Sequence, residues 1–129
     1  MEQKDKELLL KDLCARLPYG IKVQVEYDAE EFGKTIETDE ITMINKYGEV
    51  LLYHASEYFI IEEIKPYLRP MSSMTEEENL MYEGLMIGTD NVSYMLDAID
   101  WLNAHHFDYR GLIDKGLALE APDGMYKFE

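Results

Sequence analysis

The chain has 129 residues, which suffices for one domain and falls short of two of ordinary size. Apolar residues make up 47% and charged residues 30%, a balance typical of a folded protein, and the single Cys14 excludes an internal disulfide framework. The net charge of −15 disfavours direct binding to nucleic acid or to an anionic membrane, because both depend on Lys and Arg side chains.

The sequence also carries no evident membrane or export signal. No apolar run approaches the roughly 20 residues of a membrane span, and the amino terminus lacks the apolar stretch of a signal peptide. We therefore expect a soluble, cytoplasmic protein with a single domain over 1–129. Its composition divides that domain into a helix-and-sheet part (1–70) and an acidic helical part (71–129).

Residues 5–16 predict an amphipathic helix. Leu9, Leu13 and Cys14 lie at helical spacing on its apolar stripe, and Pro18 ends it. We expect the thiol of Cys14 to be buried and unreactive, because no neighbour in the sequence would lower its pKa.

A sheet is predicted between this helix and residue 70. Strict alternation of apolar and polar residues over 21–27 is the clearest strand pattern in the chain. The apolar run 58–67 fits either a strand or a helical turn. Short turns between consecutive strands favour a small antiparallel sheet, or a barrel, over about 20–70. The other elements predicted there are a polar loop at 28–33, a strand at 35–44, a turn at 45–48 and a strand at 49–53.

A helix is predicted over about 76–87. Thr75 followed by Glu78 is a capping box, and the acidic first turn complements the helix dipole. Gly88 is expected to end the helix. The side chains expected to be buried are Leu80, Met81, Leu85 and Met86.

A second helix is predicted to reach about 104, with Thr89 or Asp90 as its cap. A short third helix over 109–115 and an edge strand over 117–121 complete the chain. The fold class is therefore α+β: an N-terminal helix, a small antiparallel sheet or barrel, and two or three C-terminal helices over about 76–116. The apolar stripe of the second helix is Val92, Met95, Leu96, Ile99 and Leu102.

Charge is unevenly distributed along the chain. Lys and Arg are absent between Arg69 and Arg110, whereas eight acidic residues occupy that segment. One interpretation is a solvated face that keeps the protein soluble, and another is a surface for a basic partner. Trp101 fits either core packing or an anchor of such an interface. The candidate partner-binding residues are Glu76, Glu77, Glu83, Asp90, Asp97, Asp100 and Trp101.

His105 and His106, followed by Asp108, form the most evident group of metal-ligating side chains. A zinc or iron site needs at least three converging ligands, and adjacent histidines at a helix end usually point in different directions. Imidazoles that interact with the helix dipole explain the pair equally well. No catalytic, cofactor-binding or metal-binding residue is therefore assigned, and no cofactor is expected.

The sequence lacks the P-loop, dinucleotide-binding, serine-hydrolase and kinase motifs. We therefore expect a non-enzymatic protein-interaction module that presents an acidic surface to a basic protein. Two alternatives stay open: an acidic mimic of nucleic acid that inhibits a nucleic-acid-binding protein, and a metal-dependent enzyme that uses His105, His106 and nearby acids. Assembly into a homo-oligomer is also open.

Two segments, IKPYLRPMSSMTEEE (64–78) and DWLNAHHFDYRGLIDKGLALEAPDGMY (100–126), resemble blocks of a family of short, acidic, uncharacterised proteins of bacteria, their phages and their mobile elements. The resemblance covers about a third of the chain. It implies a bacterial cytoplasm and a phage-borne origin, and it assigns neither an activity nor a site residue.

Overall fold

The computed structural model describes residues 1–55, 57–87 and 90–126. Within these residues the protein is α+β, with an N-terminal helix, a six-stranded mixed sheet and two further α-helices. The sheet does not close on itself, so of the two predicted alternatives the sheet is confirmed and the barrel is wrong. The helices are α1 (Gln3–Arg16), α2 (Glu76–Met86) and α3 (Val92–Ala104), and the strands are β1 (Lys22–Ala29), β2 (Gly33–Ile44), β3 (Val50–Leu52), β4 (Tyr58–Phe59), β5 (Ile64–Leu68) and β6 (Leu119–Glu120).

The strands lie in the order β4-β3-β2-β1-β5-β6. The first four form an antiparallel meander, and β1 pairs with β2 from Lys22↔Glu40 to Ala29↔Gly33. The chain then passes through the short helix Ile61–Glu63 and returns beside β1 as β5. The ambiguous run 58–67 thus contains two strands and a helical turn.

The last strand makes the sheet mixed. An edge strand was predicted over 117–121, and β6 confirms it, but β6 runs parallel to β5 with Tyr67 opposite Leu119. The antiparallel description of the sheet therefore holds only for its first five strands.

The hydrophobic core lies between α1 and one face of the sheet. Leu9 and Leu13 of α1 are fully buried, and the alternation predicted for β1 places Val23 and Val25 in the same cluster. Cys14 is exposed, so its predicted burial is wrong. The buried face of α1 instead includes two charged residues, described below.

The third predicted helix is wrong. Residues 112–116 form turns rather than a helix. Asp108, itself buried, accepts hydrogen bonds from the backbone N–H groups of Leu112 (2.9 Å) and Ile113 (3.0 Å). Gly111 adopts a φ of 73°, a left-handed conformation that interrupts a continuous α-helix.

The helices α2 and α3, called the helix pair below, begin as local sequence signals require. Thr75 and Glu78 form the predicted capping box of α2. The side chain of Asn91, rather than Asp90, caps α3 by accepting a hydrogen bond from Ser93 N. Gly88 and Thr89, predicted as the end of one helix and the cap of the next, lie outside the described residues. No helix in the described ranges is long and apolar enough to cross a membrane.

Candidate interaction surface on the helix pair

The helix pair is antiparallel and held to the sheet at one end. Arg69, which follows β5, donates two hydrogen bonds to the carboxylate of Glu78 in the first turn of α2, at 2.6 and 2.8 Å. It also donates to the carbonyl of His105, just beyond the end of α3, at 3.3 Å. One guanidinium therefore joins the start of α2, the end of α3 and the sheet.

Electrostatics favour this contact. The hydrogen bonds from Arg69 lower the pKa of Glu78 to about 2, and the backbone N–H of Thr75 also favours its ionised form. The guanidinium lies over the ring of Phe107, 4.2 Å from the ring centroid. Bidentate arginine–carboxylate pairs in partly buried positions are stronger and more directional than ordinary surface ion pairs.

Trp101 belongs to this attachment. It is half-buried and stacks on His105, Phe107 and Tyr82, with ring centroids 4.3, 5.7 and 6.0 Å away. Its remaining exposed edge lines a cleft of about 340 Å³ that also includes Glu77 and Met81. The structure therefore brings two predicted partner-binding residues, Glu77 and Trp101, to one cleft.

Beyond its attached end, the helix pair leaves its apolar side chains in solvent. No side chain of α2 is buried, and Leu80 and Met81 are more than half exposed. In α3 only Ala98, Leu102 and Asn103 are buried. The predicted burial of the apolar side chains of both helices is therefore wrong, except that Leu102 is buried. Leu85 is half-buried.

One continuous part of that exposed surface runs along α3. We call it the α3 stripe; its members recur at positions i, i+3, i+4 and i+7 and are 36–69% exposed. Isolated exposed apolar residues are normal, but an ordered apolar row on one helix face is typical of a contact surface. The stripe consists of Val92, Met95, Leu96 and Ile99.

Carboxylates border this surface. Asp100 lies one helical turn after Leu96, and on α2 the positions of Glu76 and Glu83 place them on either side of Leu80. Of the eight acids between Arg69 and Arg110, Glu78 and Asp108 have structural roles in the described residues, and the other six are exposed. The six are Glu76, Glu77, Glu83, Asp90, Asp97 and Asp100.

The two histidines occupy different environments. His105 is half-buried and its Nδ1 lies 2.9 Å from the carbonyl of Trp101. His106 is 3% exposed, has a φ of 62° and stacks on Tyr126 with centroids 3.7 Å apart. Burial, together with Arg16 and other nearby cations, lowers the pKa of His106 to about 4, which keeps its ring neutral. Within the described residues, no group of three or more His, Cys, Asp or Glu side chains is arranged to hold a metal ion.

Sequence reasoning missed a buried charged network that joins α1 to the C-terminal segment. Arg16 and Asp12 are both fully buried, and Arg16 Nε donates to Asp12 Oδ2 at 2.7 Å. Arg16 Nη2 also donates to the carbonyl of Phe107 at 2.7 Å, and Arg110 Nε lies 3.2 Å from Asp12 Oδ1. The i, i+4 spacing of Asp12 and Arg16 was the available signal, but that spacing equally fits an exposed ion pair.

Comparisons with known proteins add no relative. No protein-family model, curated protein or solved structure matches the chain. The family resemblance in 64–78 and 100–126 therefore stays a prediction.

Proposed function

We propose that the protein is a non-enzymatic interaction module that binds a basic protein through its helix pair. The observation that carries this proposal is the α3 stripe, an apolar row that the described part of the chain leaves in solvent. Burying such a row against a partner removes apolar area from water, at roughly 25 cal/mol per Å² before the costs of association.

The surrounding charges indicate the kind of partner. Five exposed carboxylates share the helix pair with the stripe, a sixth, Asp90, lies just before α3, and the segment between Arg69 and Arg110 contains no Lys or Arg. A partner with Lys or Arg around an apolar centre complements this pattern, and its association would be accelerated by long-range attraction. The cytoplasm of a bacterium, with a phage-borne gene, is the proposed setting.

The nucleic-acid mimic is less well supported by the same surface. Duplex DNA presents a regular, dense row of phosphates, about one charge per 1.7 Å of axis. The helix pair instead alternates carboxylates with large apolar side chains such as Leu80 and Leu96, which are 66% and 55% exposed. An apolar centre with a charged border resembles a protein contact more than a phosphate backbone.

The proposal is tested by affinity capture with matched variants. The immobilised protein is exposed to a host lysate, and the Leu96→Ser/Ile99→Ser double variant is compared with Phe32→Ser/Ile36→Ser, which changes two exposed apolar residues on the β1–β2 hairpin. We expect the α3 variant alone to lose a basic partner. Retention should also fall between roughly 0.1 and 1 M salt, where the Debye length shrinks from about 10 to 3 Å.

Folding must be checked in parallel. Substitutions at exposed positions usually change stability by less than about 0.5 kcal/mol, so both double variants should unfold near the wild-type midpoint. If the two variants capture the same proteins, or if the captured proteins are acidic and insensitive to salt, the proposed function is wrong.

A further inference from the structure

The α3 stripe has a shape that restricts what can cover it. Its four side chains follow one helix axis over two turns, and their spacing presents ridges and grooves of the kind that helices use to pack together. A helix face also offers no free backbone donors or acceptors in its middle, because those groups are bonded within the helix.

This second property disfavours an extended occupant in the middle of the stripe. A single strand laid on α3 would find no partner there for its N–H and C=O groups, which point sideways from the strand, and each group that the contact removes from water costs about 1–3 kcal/mol. An α-helical occupant carries its backbone hydrogen bonds with it. The most favourable cover for the stripe is therefore another helix.

A helix that covers the stripe could come from a second copy of this chain or from a different protein, and charge distinguishes between the two. A second copy of the chain would bring its own Asp100, which borders the stripe, against the first, in a protein whose net charge is −15. With no Lys or Arg between Arg69 and Arg110, a symmetric contact of two helix pairs has no cation from those segments to neutralise it. A foreign helix with basic residues beside its apolar positions meets no such repulsion.

We propose that the partner's recognition element is a basic amphipathic helix that packs along α3 and completes a three-helix arrangement with the helix pair. This inference rests on the proposed function and specifies its partner. The partner's apolar residues, at i, i+3 or i+4, and i+7, contact the α3 stripe. Its flanking Lys or Arg side chains lie beside Asp100 and the neighbouring carboxylates.

The test uses the intact protein and three labelled synthetic peptides. The first is an amphipathic peptide with Leu at i, i+3, i+4 and i+7 and Lys at the flanking positions. The second has the same composition with its apolar periodicity scrambled, and the third replaces Lys by Glu. Fluorescence anisotropy measures binding, and circular dichroism measures whether the peptide becomes more helical on mixing.

We expect the first peptide to bind at least about tenfold more tightly than either of the others, and to gain helicity. Leu96→Ser/Ile99→Ser should weaken its binding by about tenfold or more, whereas Phe32→Ser/Ile36→Ser should leave it unchanged. Asp100→Asn should weaken it and reduce its salt dependence.

Equal binding of the ordered and scrambled peptides would overturn the inference, because attraction would then depend on charge alone. A wild-type dimer in sedimentation that Leu96→Ser/Ile99→Ser converts to a monomer would also overturn it, because a second copy would then be the occupant. If no peptide binds but capture from the lysate still depends on the α3 stripe, the helical partner is wrong while the proposed function stands. If that capture also fails, both are wrong.

Discussion

Removing the carboxylate of the buried Asp12–Arg16 pair should destabilise the protein more than removing its guanidinium. In Asp12→Asn, Arg16 remains charged, because a guanidinium does not deprotonate in proteins. It is fully buried, and its Nη1 has no hydrogen-bond partner within the described residues, so it would keep one uncharged amide oxygen, the Phe107 carbonyl and the nearby Tyr109 ring but no counter-charge from residue 12.

Removing the guanidinium instead leaves a carboxylate that still has a cationic partner. In Arg16→Met, the carboxylate of Asp12 retains Arg110, whose Nε lies 3.2 Å from Oδ1. Breaking a buried pair and leaving one charge uncompensated costs about 3–5 kcal/mol. We therefore expect a loss of about 3–5 kcal/mol for Asp12→Asn and about 1–3 kcal/mol for Arg16→Met, where lost hydrogen bonds dominate.

Urea unfolding followed by circular dichroism measures both values, and an unchanged slope would show that the unfolded state is not altered. The double variant Asp12→Leu/Arg16→Met leaves no charge from the pair and should be more stable than Asp12→Asn. The reasoning is refuted if Asp12→Asn costs less than about 1 kcal/mol, or if Arg16→Met proves the more damaging single change.

Three further outcomes follow from individual side chains. Glu78→Gln retains an oxygen for the Thr75 N–H but loses its charge, so it should cost about 1–2 kcal/mol in urea unfolding, and Glu78→Ala should cost more. The folded pKa of Glu78, about 2, lies below its ordinary value of 4.5, so the wild-type protein should lose the stabilisation from the Glu78 charge as pH falls from about 5 to 2. An equal dependence of stability on pH in Glu78→Gln would contradict this assignment. The folded pKa of His106, about 4, also lies below its ordinary value of 6.5, so the stability of the protein should decline as pH falls from about 7 to 4. Asn tolerates the positive φ at this position, so His106→Asn should flatten that part of the stability profile. An unchanged profile would exclude His106 as the source of the decline. Partial burial raises the pKa of Cys14, so alkylation followed by mass spectrometry should be slower near neutral pH than for a free cysteine, despite the exposure of the residue; a faster reaction would contradict this.

Sequence patterns predicted those features that a few neighbouring residues determine. The alternation over 21–27 gave β1 and its buried face, and the Thr75–Glu78 pair gave the start of α2 with its capping geometry. The failure at 109–115 has the same local origin, because Gly111 and the Asp108 side chain stabilise turns that a hydrophobic pattern does not distinguish from one helical turn.

The sequence did not show which helix faces would pack against other parts of the same chain. The periodicity of α3 correctly indicates an apolar face, but periodicity does not specify whether the same chain covers it, and in this protein the stripe around Leu96 remains exposed. The role of Arg69 was missed for a similar reason. Its pairing with Glu78 depends on where β5 ends relative to α2, which no local pattern records.

The hydrogen bonds of Tyr126 have a consequence for the order of folding. Its hydroxyl donates to the carbonyl of Tyr67 at 2.7 Å and accepts from the N–H of Lys22 at 3.0 Å, a residue 104 positions earlier in the chain. A nascent polypeptide emerging from the ribosome cannot make these bonds until Tyr126 has been synthesised. Contacts this distant in sequence slow the search for the native state, so we expect β1 and β5 to reach their final stability only after Tyr126 has been synthesised and has packed against them.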